Sequence, residues 1–328
     1  MTKIQVCIFF VISLASCAPY IISHNEQTNT PELIHQQYFI ASDSTRLPIK
    51  IWGKPENAIV IALHGFNDYS NFIHNAANNL ANYGYQTLSF DQRGFGKTES
   101  RGYWSGTEKM LQDVYEFILL IKKQHPNVPI YLFGESMGGA VALLTSTRYE
   151  NLPIDGLILS APAVWGWETM PWYQRWSLSI ASYTIPWMTF TGKGLKIKPS
   201  DNIPMLRALG QDPNIIRTTR VDAMHGLTQL MGEALQQATH LDKRTLILYG
   251  EKDEVIPKEP TAMMLENLPE NIATTIALYE NGYHMLLRDL QGNVVLGDIL
   301  AWINKQPLPS GSDQRSTDLL LLSDYVED

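Results

Sequence analysis

The run Gly134-Glu135-Ser136-Met137-Gly138-Gly139 constrains this chain more than any other stretch, because of what stands on either side of it. Residues 130–133 are a short apolar run of the kind that forms a buried strand, and residues 140–147 read as a helix of mostly small and apolar side chains. A chain that passes from strand to helix in so few residues turns sharply. The residue at the apex is forced into a strained backbone conformation, and the positions two residues away must be small. Gly134 and Gly138 meet that need, with Gly139 beside them. A strand followed at once by a helix packed back on it is the repeating unit of a parallel α/β sheet.

The rest of the sequence repeats that unit. Buried strands are expected at 58–63, 85–90, 156–160, 245–249 and 274–279, with helices at 71–83 and 108–124 and an antiparallel hairpin leading in at 38–40 and 48–52. With 328 residues, 45% of them hydrophobic and 18% charged, the chain can bury one large core. The stretch 164–240 differs. It holds Trp165, Trp167, Trp172, Trp176 and Trp187 together with five methionines, and is broken by Pro171, Pro186, Pro204 and Pro213. It reads as a helical cap inserted at the carboxyl edge of the sheet, where ligands of such folds bind. The expected fold class is therefore α/β, a mostly parallel central sheet flanked by helices, occupying 36–306 with the cap at 164–240.

In that setting Ser136 occupies the place of a nucleophile at a strand-to-helix elbow. A serine hydroxyl is a weak nucleophile that needs a base within hydrogen-bond reach, and the base needs an orienting carboxylate. Three acids, Glu251, Asp253 and Glu254, follow the strand at 245–249. His284 follows the last strand, and no other histidine lies beyond Asp253.

Three motifs taken together resemble the α/β-hydrolase superfamily: His64-Gly65-Phe66 after one strand, Asp91-Gln92-Arg93-Gly94-Phe95-Gly96 after the next, and the Ser136 elbow after the third. The branch they are most similar to is the monoacylglycerol lipase and lysophospholipase group, over about residues 38–304. The resemblance implies the chain order Ser136, Asp253, His284 for a catalytic triad. Glu251 and Glu254 are then left as solvated loop charges. It also implies an oxyanion hole from the backbone N–H groups of Phe66 and Met137, one such donor being worth ~2.7–4 kcal/mol of barrier. His64 is expected to hold its turn by hydrogen bonds, with Gly65 beside it, and Asp91 and Arg93 to brace the neighbouring loop. A serine at 136 excludes the aspartate-nucleophile mechanisms of epoxide hydrolases and dehalogenases. No His, Cys and carboxylate cluster has metal-ligand spacing and no GxGxxG opens a dinucleotide site, so neither a metal nor a cofactor is expected.

The amino terminus is a separate object. Lys3 precedes a short apolar run at 4–14 that ends in Leu14-Ala15-Ser16-Cys17. This resembles the lipobox of bacterial lipoprotein signal peptides, which implies removal of 1–16 and a lipid on Cys17. The other cysteine, Cys7, lies in the segment to be removed. Residues 17–35 are expected as a flexible tether and 307–328 as a loose acidic tail. The expected setting is the bacterial cell envelope, with the domain lipid-anchored to a membrane surface. Ala18 after the cysteine resembles the outer-membrane sorting pattern of enteric lipoproteins. A net charge of -8 disfavours nucleic acid as a partner. The expected substrate is an acyl-ester lipid, a monoacylglycerol or a lysophospholipid. A general carboxylesterase, thioesterase or amidase stays open, as does a binding lipoprotein that kept the fold without catalysis.

Overall fold

In a computed structural model of the chain, the described residues are 18–315 except Gln27, Gln36 and Leu195. The expected signal peptide, the lipidation site at Cys17 and the tail beyond residue 315 lie outside the described residues. Among the described residues nine strands form one sheet in the order β1-β2-β3-β5-β4-β6-β7-β10-β11. Strands β1 (Glu32–Ile34), β2 (Tyr38–Ile40) and β3 (Arg46–Trp52) form an antiparallel edge. From β5 (Tyr85–Phe90) through β4 (Ala58–Leu63), β6 (Ile130–Glu135), β7 (Gly156–Ser160) and β10 (Thr245–Gly250) to β11 (Thr274–Tyr279), every neighbouring pair is parallel.

Both faces of the central strands are buried, which is why β4 and most of β6, β7 and β10 read as apolar runs. Successive side chains of β4 serve opposite faces: Ile59, Ile61 and Leu63 enter one core, Ala58, Val60 and Ala62 the other. The first core is closed by α2 (Thr107–Gln124) and α3 (Met137–Arg148), the second by α1 (His74–Ala81) and α8 (Gly292–Ile303). The expected helix at 71–83 is split into a 3-10 turn, Ser70–Ile73, and α1. Helix α7 (Lys258–Glu266) follows β10.

The inserted region, expected as a cap over 164–240, has two parts. Helices α4 (Trp172–Thr184) and α5 (Ile203–Gln211) form the cap, with a two-stranded ribbon of β8 (Thr189–Phe190) and β9 (Thr219–Arg220) that the sequence did not suggest. Helix α6 (Val221–Gln237) instead belongs to the domain. It packs on α3, and Leu230, Met231, Ala234 and Leu235 join the first core. On another side it meets the loop before α2, where a Cβ on Gly226 would lie 2.4 Å from the Trp104 ring.

The segments expected as tether and tail make ordered contacts where they are described. Residues 18–35 lie along the domain: the Ile22 N–H donates to Trp104 O, Thr28 and Asn29 N–H donate to Ser42 O, and β1 extends the sheet. His24 bonds Ser105 O at 2.9 Å and accepts from Arg93, whose guanidinium is buried between Asp43 and Asp113. At the other end Leu308 is buried, Ser310 and Ser312 donate to Asp298, and Arg315 pairs with Glu251. These backbone and ionic partners come from distant parts of the sequence, so composition alone gives no sign of them.

Candidate active site

The carboxyl ends of β6, β10 and β11 lie on one edge of the sheet and carry Ser136, Asp253 and His284 in that order. Ser136 has φ 54 and ψ -119, a strained conformation for a residue with a Cβ. The elbow explains its glycines. A Cβ on Gly134 would sit 2.2 Å from Gly138 O, and one on Gly138 would sit 2.2 Å from Leu63 O. Two further bonds fix the apex: Ser136 N–H donates to Ser160 O at 2.9 Å, and Ala163 N–H donates to Ser136 O at 3.0 Å.

The turn after β4 closes on the serine from the other side. A Cβ on Gly65 would lie 3.3 Å from Ser136 Cβ and 3.9 Å from its Oγ, so this turn lies against the hydroxyl. Met137 opens α3, where N–H groups of the first turn lack intrahelical acceptors. No hydrogen bond occupies the N–H of Phe66 or Met137 among the described contacts. His64 is fully buried and holds this turn. Its Nε2 accepts from Gln92 N–H at 3.0 Å, which leaves the proton on Nδ1 to donate to Gly65 O at 2.8 Å. Burial pushes its pKa down, so the ring is a neutral structural tie. Asp91 accepts from the N–H groups of Ser70 and Lys97 and braces the adjoining loop.

The three acids after β10 separate by partner. Asp253 Oδ1 accepts from the N–H groups of Val255 and Ile256, while Oδ2 accepts from His284 Nδ1 at 2.8 Å. Glu251, partly buried, pairs with Arg315, and Glu254, exposed at the surface, accepts from Lys198 N–H. With Nδ1–H committed to Asp253, Nε2 is the basic nitrogen of His284. Burial disfavours the imidazolium, but the charge and hydrogen bond of Asp253, helped by Glu135, outweigh it and raise the pKa above 6.5. His284 Nε2 and Ser136 Oγ are not hydrogen-bonded to each other among the described contacts.

A family profile described as serine aminopeptidase, S33 (Hydrolase_4) matches residues 54–291, more than half of the chain. The chain belongs to that S33 family. Among curated relatives it is 22% identical to the monoacylglycerol lipase of Mycolicibacterium smegmatis over 280 residues, covering 81% of this chain and 95% of that one. It is 24% identical to human monoglyceride lipase over 302 residues, covering 86% and 96%. Of solved structures, a soluble variant of the Saccharomyces cerevisiae monoglyceride lipase in complex with a substrate analog superposes with a TM-score of 0.69 at 21% identity, covering 88% of this chain and 98% of that one. The S33 chain therefore has the α/β-hydrolase fold of a lipase and esterase group.

Sequence reading missed a buried ionic cluster against the elbow. Arg288, four residues after His284, donates to Asp68 at 2.7 Å and also to Glu135, the residue before the serine. All three are nearly inaccessible, and burial raises the Glu135 pKa despite the guanidinium. Glu135 in an otherwise small and apolar elbow was the one available signal. Beyond it, the cap is laced to the base loop: Ser200 donates to Asp289 at 2.6 Å, Asn202 to Arg288 O at 3.0 Å, and Met285 N–H to Pro199 O at 3.0 Å. Among the described residues no group of three or more His, Cys, Asp or Glu is arranged to hold a metal.

Proposed function

We propose that this chain hydrolyses carboxylic esters through an acyl-enzyme on Ser136, with His284 as base and Asp253 orienting the imidazole. One observation carries the reading: a serine held in strained backbone at a strand-to-helix elbow, on the same sheet edge as a buried Asp–His hydrogen bond. Ser136 Oγ attacks the ester carbonyl and its proton passes to His284 Nε2. The N–H groups of Phe66 and Met137 receive the developing oxyanion. Collapse expels the alcohol, which takes the proton from Nε2 and leaves an acyl ester on the serine. Water then loses a proton to the same nitrogen and attacks the acyl carbonyl; collapse returns that proton from Nε2 to Ser136 Oγ and releases the acid. Nε2 and Oγ have to draw within hydrogen-bond distance for the first step, and catalytic contacts of this kind often tighten only with substrate in place.

The substrate we propose is an acyl lipid, a monoacylglycerol or a lysophospholipid. The relatives named monoacylglycerol lipases support this, and so does the cap. Trp172, Trp176, Ile180 and Tyr183 recur every three or four residues along α4 and are 68%, 65%, 59% and 53% exposed, one aromatic and aliphatic face turned to solvent. A patch of this kind marks an interaction surface, and Trp and Tyr suit a boundary between oil and water. Long-chain monoacylglycerol should be hydrolysed in clear preference to a short p-nitrophenyl ester. The double change Trp172→Ser with Trp176→Ser should lower the lipid rate several-fold and spare the short soluble ester. An aminoacyl arylamide, the substrate class in the family's label, is the control. Faster cleavage of the arylamide or the short ester would remove lipid from the reading.

We also propose that Cys17 carries a lipid that holds the domain at a membrane of the bacterial cell envelope. Among the described residues no helix is long and apolar enough to cross a membrane. Cys17→Ala should move the protein from the membrane fraction to the soluble one. Retention of the variant on membranes would exclude the anchor.

A further inference from the structure

We infer that Arg288 is a positioning residue that locks the elbow, the oxyanion turn and the base loop to one another through Glu135 and Asp68. The inference rests on the hydrolase reading above and extends it to residues outside the triad. Asp68 belongs to the turn of Phe66, since its N–H donates to Gly65 O at 3.2 Å. Glu135 is joined through one peptide bond to Ser136. Arg288 follows His284 on a 3-10 turn, Leu286–Arg288, and its two terminal nitrogens reach one carboxylate each. One planar fork therefore spans all three loops, which a lysine, with a single point charge, cannot do.

The cluster sets two carboxyl groups against one guanidinium, and one of the two, Glu135, adjoins Ser136 in the chain. Glu135 Oε2 and Arg288 Nε have no hydrogen-bond partner among the described residues. The charges that face His284 are Asp253 beyond β10, Glu135 at the end of β6 and Arg288 on its own loop; Asp68 faces Glu135 and Arg288 in turn. Glu135 favours the imidazolium that forms when Ser136 gives up its proton, and Arg288 opposes it while keeping Glu135 in place. Geometry and charge both point at the proton-transfer step.

The test is steady-state hydrolysis by full-length Arg288→Lys, Arg288→Met and Glu135→Gln proteins. It is read with fluorophosphonate labelling of Ser136 as a function of pH, and with thermal melting to count folded molecules. Arg288→Met should lose between ten- and a hundred-fold in kcat per folded molecule at near-constant KM, the scale of a small misplacement of reacting groups. Arg288→Lys should recover only part of the loss. Glu135→Gln should move the acid limb of the labelling rate to lower pH. Unchanged kcat per folded molecule in both Arg288 variants, or an unmoved acid limb in Glu135→Gln, overturns the inference while normal wild-type turnover leaves the hydrolase reading intact. A wild-type protein that fails to label at Ser136 overturns both.

Discussion

Ser136→Ala should abolish fluorophosphonate labelling and cut ester turnover by on the order of 10⁶-fold, the loss seen when a triad nucleophile is removed from a serine hydrolase. Nothing in the packing predicts collapse of the fold. The elbow's tight contacts are made by Gly134 and Gly138, and the Ser136 backbone bonds to Ser160 and Ala163 survive the change. Alanine at a positive φ is as strained as serine there, so the melting temperature should move little. The measurement separates the two non-lipid alternatives. A non-catalytic binding protein would neither label nor lose anything on substitution, whereas a hydrolase of another acyl compound would label and lose turnover of that compound. Labelling that persists in Ser136→Ala would place the nucleophile elsewhere and dismantle the mechanism.

Asp253→Asn should be nearly as severe and should also move the pH profile. The carboxylate accepts from His284 Nδ1–H and from two backbone N–H groups of its own loop. Asparagine can present its NH₂ to Nδ1, which favours the wrong tautomer and puts the proton on the nitrogen meant to act as base. Losses on the order of 10⁴-fold in kcat follow from such a change. The sign of the pH shift is fixed by what holds the imidazole pKa up. Catalysis needs neutral His284, so kcat/KM should fall as pH drops through a pKa above 6.5. Burial pushes that pKa down and Asp253 is the largest influence raising it, so its loss should carry the acid limb to lower pH. A variant whose acid limb stays where the wild type has it would show that Asp253 does not govern the base.

The elements that the sequence revealed are those decided locally. The central parallel strands β4, β6, β7 and β10 stand where largely apolar runs stand, because both faces of each are covered and no polar alternation is needed. The elbow was legible because its glycines answer to steric limits within five residues. What the sequence concealed depends on partners far along the chain. Arg288 and Glu135 are 153 residues apart, and nothing local in either segment announces the other. Helix α6 follows a proline- and tryptophan-rich stretch and so reads as part of the cap, yet its apolar face lies on α3. His64 was legible as a turn holder, while the partners of Glu251 and Glu254 emerged only once Arg315 and Lys198 were brought beside them.

The way residues 18–29 are strapped to the body sets how far an anchored enzyme could roam. The first backbone tie described is Ile22 to Trp104, and Tyr20 already stacks edge-on against Tyr103. Only a handful of residues separate position 17 from that tie, a reach of roughly 17 Å at full extension. A lipid on Cys17 would thus act as a short mooring, confining the protein to a thin layer above the bilayer and limiting its tumbling. Collision with acyl chains in that leaflet would become a near-neighbour event, and material dispersed in bulk water would be reached only by diffusing to the moored molecule.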